Sequence, residues 1–167
     1  DAPEFAADLK RGEELSKTFA ERYRGKLGQL GGAELAAALK DYEAISDLLG
    51  CTGSYAQLHY VGDTTDSKRG KFYGDVSAKL TEISTLLLFF ELELNRIDDA
   101  VLEKAMEVPA LAHYRPWIEN LRKEKPYQLE ERIEQLFHEK SQTGRGAWNR
   151  LFNETMTSLR FPVEGEV

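Results

Sequence analysis

The chain has 167 residues, enough for one domain with its own core. Apolar residues make up 41% and charged residues 31%, which fits a folded chain and excludes a disordered one. A formal net charge of -7 argues against binding nucleic-acid phosphates or an anionic membrane, and the single cysteine, Cys51, excludes an internal disulfide.

Asp1 or Ala2 can cap a first helix with Pro3 in its first turn, where the missing N–H costs little. Phe5, Leu9, Phe19 and Tyr23 lie along one side, and Gly12 and Ser16 on the same line leave room for another helix. Gly25, Gly28 and Gly31-Gly32 end it. A second helix starts near Ala33 and carries Leu35, Leu39, Tyr42, Ile45 and Leu49 at helical spacing. Gly50 and Gly53 punctuate its end, and Ser54 to Val61 has the composition for another turn or two. Gly62-Asp63-Thr64-Thr65 then reads as a loop.

The longest segment follows, from Asp66 to Ile97. Val76, Leu80, Ile83, Leu87, Phe90, Leu94 and Ile97 alternate in steps of four and three, a seven-residue repeat with two apolar positions. Asp66 is placed as its N-cap, and Asp75 stands four residues before Lys79, the favourable order for a helical ion pair. At about 1.5 Å per residue, such a helix would be roughly 48 Å long. Leu86 to Phe90 is apolar all round, so it should be covered on more than one side. Glu91 and Glu93 end that run far short of a membrane span. The seam reads as packing against a neighbour within the chain, not as evidence of a coiled-coil dimer.

Beyond it, Asp98 or Asp99 can cap a short helix over Ala100 to Glu107, and Pro109 starts another short piece. Pro116 lies near a helix start, with Trp117, Ile118 and Leu121 on its apolar side; Pro126 interrupts again. Leu129, Ile133, Leu136 and Phe137 form the next stripe. Ser141 to Gly146 reads as a link with Thr143 as the following cap, and the last helix carries Trp148, Leu151, Phe152, Met156 and Leu159. Phe161-Pro162-Val163 reads as a short extended exit, so a fragment of a longer protein is expected. The predicted class is all-α: a helical bundle with a long central helix at about 66–97, over residues 1–160, with 161–167 leading onward.

Chemistry is sparse. His138-Glu139 opens a phrase like the zinc-peptidase HExxH, in which two histidines one turn apart share a metal, but the second position is Gln142, which has no imidazole. His59 and His113 are isolated from other ligands at metal spacing. A di-iron bundle needs Glu-x-x-His pairs on two helices, whereas Glu134 and His138 are four apart and have no second copy. Cys51 lacks an adjacent base in sequence and reads as a small buried thiol. Glu91 and Glu93 point to different sides of a helix, and Arg115, Arg145 and Arg150 read as partners for neighbouring glutamates. No catalytic, metal or substrate-binding residue is assigned.

A set of phrases in fixed order resembles the N-terminal region of oligoendopeptidase F. They are Gly53-Ser54-Tyr55-Ala56, Asp63-Thr64-Thr65-Asp66, Arg69-Gly70-Lys71-Phe72-Tyr73 and Phe89-Phe90-Glu91-Leu92-Glu93-Leu94-Asn95-Arg96, then Tyr114-Arg115-Pro116-Trp117 and His138-Glu139-Lys140-Ser141. Thr143-Gly144-Arg145, Ala147-Trp148, Leu151-Phe152 and Leu159 to Val163 continue it across essentially the whole chain. The resemblance implies a zinc metallopeptidase acting on short peptides, with zinc bound by a C-terminal catalytic domain that is not in this chain; the single cysteine is compatible with a reducing cytoplasm, the expected location. For this segment the resemblance implies a helical lobe in the wall of the substrate chamber, inactive alone and binding no metal. Its expected partners are peptide substrates and the catalytic domain, with no nucleic acid and no membrane. A separated lobe should expose an apolar helix face, through which it could dimerise. The alternative is a stand-alone helical module that binds proteins or peptides.

Overall fold

Glycines and acidic caps set the helix boundaries in the computed structural model, which describes residues 3–160. Helix α1 (Pro3–Tyr23) ends where Gly25 takes a positive φ of 77°, a conformation open to glycine. The Gly25 N–H donates to Glu93 at 2.7 Å, fastening this turn to the helix opposite. A 3-10 turn, Leu27–Gln29, buries Leu27, and Glu34 accepts from the Gly31 N–H at 3.0 Å to open α2.

Helix α2 (Gly32–Val61) does not end at Gly50 or Gly53. The spacing of Thr52, Ala56 and Tyr60, all buried, carries the helix through both glycines. Burial of that face outweighs a propensity cost of about 1 kcal/mol per glycine. Gly53 also has a packing role: a Cβ there would sit 3.2 Å from Leu80 Cδ1 on the next helix. Gly12 does the same for α1 against α2, since a Cβ would lie 2.7 Å from Leu49 Cδ2. Buried Ser16 turns its hydroxyl back to the Gly12 carbonyl at 2.7 Å. The small-residue line in α1 is thus a helix-crossing point, as its sequence suggests.

The expected helix at 66–97 is present in two pieces, α3 (Ser67–Thr85) and α4 (Leu88–Arg96). Asp66 caps α3 by accepting from the Lys68 and Arg69 N–H groups. At the junction, the Leu86 and Leu87 N–H groups bond three residues back instead of four, each at 3.0 Å. The cause lies just before it. The hydroxyls of Thr81, Ser84 and Thr85 all donate to backbone carbonyls of the preceding turn, which competes with the helical ladder and bends the axis. The Leu86 carbonyl, left without a helical donor by the bend, accepts from Arg24 at 3.2 Å. Arg24 also pairs with Glu131 and lies 4.5 Å over the Phe89 ring, so one side chain clamps three helices at the break.

The apolar seam is used inside the chain, as expected. Val76, Ile83, Leu87, Phe90, Leu94 and Ile97 are buried against α1 and α2 and the helices that follow, and Leu80 is half-buried. Phe89 and Phe90 are both fully buried, and Phe90 stacks on Tyr42 with ring centres 4.7 Å apart. The Asp75–Lys79 pair does not form. Asp75 pairs with Lys71, while Lys79 reaches across to Glu13 of α1 at 2.8 Å.

Asp98 caps α5 (Asp99–Ala105), and Pro109 and Pro116 sit in the first turns of α6 (Pro109–Ala112) and α7 (Arg115–Arg122). A 3-10 turn, Lys125–Tyr127, leads to α8 (Glu131–Ser141). The link Gln142–Gly146 is a π-type turn with a non-helical break at Gly144, and α9 (Ala147–Ser158) follows directly. Thr143 is not the cap of α9; its hydroxyl donates back to Lys140. The described residues contain helices and turns only. The extended exit expected at Phe161 to Val163 lies outside the described residues.

Candidate functional site

The two positions of the zinc-peptidase-like phrase have ordinary partners on another helix. His138 Nε2 lies 2.8 Å from the Ser84 hydroxyl, and Gln142 Nε2 donates to the Thr81 hydroxyl at 2.7 Å. The two positions that resemble a zinc-peptidase pair therefore face α3, where they bond the hydroxyls that bend it. Among the described residues, no three His, Cys, Asp or Glu side chains gather as a metal would require. These residues do not fit zinc.

His59 is exposed and stacks on Tyr55. His113 is also exposed, with its ring edge-on to Tyr114. Cys51 is exposed, contrary to the buried thiol expected, because the buried side of this turn belongs to Thr52. Glu91 and Glu93 do point apart, one accepting from the Tyr42 hydroxyl at 2.8 Å and the other from Gly25. Arg115 pairs with Glu103 and Glu119, and Arg150 with Glu154.

Two features of the surface are candidates for a functional site. The first is the face of α8 and α9. No residue of α8, the π-type turn or α9 is buried. Phe137 is 62% exposed, Trp148 70% and Phe152 63%, and Ile133, Leu136, Leu151 and Met156 are exposed beside them in sequence. These residues recur at helical spacing, so each helix presents an apolar stripe with nothing on it among the described residues. The other side is tied down by polar contacts: His138 and Gln142 to α3, and Thr157 to Thr64 at 3.2 Å.

The second is a cleft between α2, α4 and α7, lined by Tyr42, Glu43, Asp47, Glu91, Tyr114 and Trp117. Burial, with the Glu91 charge behind it, pushes the Tyr42 phenol well above its ordinary value, so it donates to Glu91 across the whole physiological range. Sequence spacing could not find this cleft. Its hydrogen-bonded pairs are 49 and 71 residues apart.

A protein-family model described as Oligopeptidase F matches residues 93–161. The fold matches the crystal structure of oligoendopeptidase-F from Enterococcus faecium over 99% of this chain, with a TM-score of 0.81 and 22% sequence identity. This chain is similar to the N-terminal region of oligoendopeptidase F. It spans 33% of the length of the Enterococcus chain. A search of curated proteins returned no match. The family match runs from within α4 to the end of α9, so the bare apolar face lies wholly inside it. The oligoendopeptidase-like fold, in turn, extends the likeness back through α1, α2 and α3, where the sequence match is silent. Among the described residues, no helix is long and apolar enough to cross a membrane.

Proposed function

We propose that this chain is the N-terminal helical lobe of a longer zinc metallopeptidase that hydrolyses short peptides. It forms part of the wall of the substrate chamber and does none of the bond cleavage. The observation that carries this reading is the fold likeness over nearly the whole chain to one third of an oligoendopeptidase-F. The bare face of α8 and α9 supports it, because the remaining two thirds of such a protein would cover an apolar stripe that water does not favour. The wall role needs a rigid scaffold, and the buried aromatic centre of α1, α2 and α4 supplies one. Zinc belongs to the remainder of the protein, and the lone cysteine suits a reducing cytoplasm.

A fluorogenic peptide series tests the reading. The purified chain should release no fluorescence, while the longer natural protein should cleave short peptides, lose that activity to a chelator and regain it with zinc. Chelator-sensitive cleavage by the chain alone would overturn the division of labour. A natural product of the size of this chain, without zinc, would overturn the peptidase reading. That outcome would leave a helical interaction module, for which the same bare face would serve as the contact, including contact with a second copy.

A further inference from the structure

The cleft between α2, α4 and α7 has a volume of about 340 Å³, within the size range of small-ligand pockets. Three rings line it, Tyr42, Tyr114 and Trp117, with the Tyr42 and Trp117 ring centres 6.1 Å apart and tilted by 48°. Three carboxylates share the lining, Glu43, Asp47 and Glu91, and no basic residue does. Tyr42 donates to one oxygen of Glu91 at 2.8 Å, and Tyr114 to one oxygen of Glu43 at 2.9 Å. The phenols hold these carboxylates in place and leave the second oxygen of each able to accept. Among the described residues, no ion pair involves Glu43, Asp47 or Glu91; nearby Arg115 is occupied by Glu103 and Glu119. Among the described residues, no three His, Cys, Asp or Glu side chains gather as a metal site, these carboxylates included. A larger cation can meet these carboxylates and the three rings at once.

We propose that this cleft binds the guanidinium group of an arginine side chain carried on a peptide. A guanidinium is planar, stacks on indole and phenol faces, and presents a fork of N–H donors to carboxylates. It also gives up its water more readily than an ammonium, which matters in a cleft that is only partly enclosed. The aromatic walls and the uncompensated negative charge ask for both properties at once. The proposal stands whether or not the chain is a lobe of a peptidase, since every group it uses is in this chain.

The experiment uses Trp117 as the reporter. Replacing the other tryptophan by Trp148→Phe, at a position 70% exposed, leaves Trp117 as the single indole. This chain is titrated with N-acetyl-arginine amide and, separately, with N-acetyl-citrulline amide, which keeps the shape and loses the charge. Arginine should give a saturable change in Trp117 fluorescence that weakens with added salt, and citrulline should bind at least about tenfold more weakly, the loss of a screened charge contact. Glu43→Gln with Asp47→Asn, both exposed positions, should weaken arginine about tenfold with an unchanged melting temperature. Equal affinity for citrulline, no saturable arginine binding, or full arginine affinity in a folded Glu43→Gln, Asp47→Asn chain would each overturn the proposal.

Discussion

Helices α1 to α7 and helices α8 and α9 are built from similar residues but end in opposite states. In the first region, Phe19, Phe89, Phe90, Leu94 and Ile118 are at most 3% exposed, and charged groups pair around the edge. In the second, Phe137, Trp148 and Phe152 are more than 60% exposed, with nothing of α8 or α9 buried. Both regions show apolar residues at helical spacing. The difference is in the neighbour. The seam of α3 and α4 meets α1 and α2 inside the chain, while the stripes of α8 and α9 meet nothing among the described residues. Helical periodicity therefore reports that a face is meant to be covered, and not by what.

Core and face substitutions test this contrast most strongly. Phe90→Ala should destabilise the chain by about 3–5 kcal/mol, since a fully buried ring leaves a cavity. Phe152→Ala should change stability by less than about 0.5 kcal/mol, because the ring is already in water. Urea unfolding of both variants measures this, and equal losses would break the comparison.

The glycines sharpen it at a smaller scale. A Cβ at Gly32 would lie 2.3 Å from the Ala105 carbonyl oxygen, so Gly32→Ala should cost roughly 1–3 kcal/mol. A Cβ at Gly50 would meet nothing within 4 Å, so Gly50→Ala should stabilise α2 by about 0.5–1 kcal/mol. Thermal melts of the pair should therefore shift in opposite directions. At the start of α3, Asp66→Ala removes the acceptor of two N–H groups and should cost about 1 kcal/mol, read from the urea midpoint.

The smallest effect is electrostatic. Hydrogen bonds from Lys17 and Lys79 hold Glu13 down from its ordinary 4.5 to about 2. A carboxylate lowered by folding stabilises the fold fully above its unfolded value and ceases to do so as pH falls through its folded value. The Glu13–Lys79 tie between α1 and α3 should therefore be intact at neutral pH and fade between 4.5 and about 2. Glu13→Gln should flatten the stability–pH curve in that window, as followed by helical circular dichroism. An unchanged slope would show that this tie does not help join the two helices.

Much of this was legible in the residues. Asp66 could be placed as a cap, and the next cap narrowed to Asp98 or Asp99, because the acceptor and the N–H groups it meets are two or three residues apart; the structure chose Asp98. Val76 to Ile97 could be placed as a buried seam because the α-helical period is local. Gly50 and Gly53 were misleading because their cost is local while the compensation, burial of Thr52, Ala56 and Tyr60, is tertiary. Lys79 preferred Glu13 on another helix to Asp75 on its own for the same reason. The break at Leu86–Leu87 left a faint trace in Thr81, Ser84 and Thr85, whose hydroxyls bond backwards, but these residue types occur in many unbroken helices.

By itself, the sequence determined the helical class, most helix starts and the identity of the buried stripe, since these follow from interactions within a few residues. Only the tertiary structure decided which stripes found a neighbour. It also turned His138 and Gln142 toward hydroxyls of α3, and gathered Tyr42, Glu91, Glu43 and Tyr114 into one cleft. Those outcomes depend on the packing of helices far apart in the chain, where no short-range period carries information.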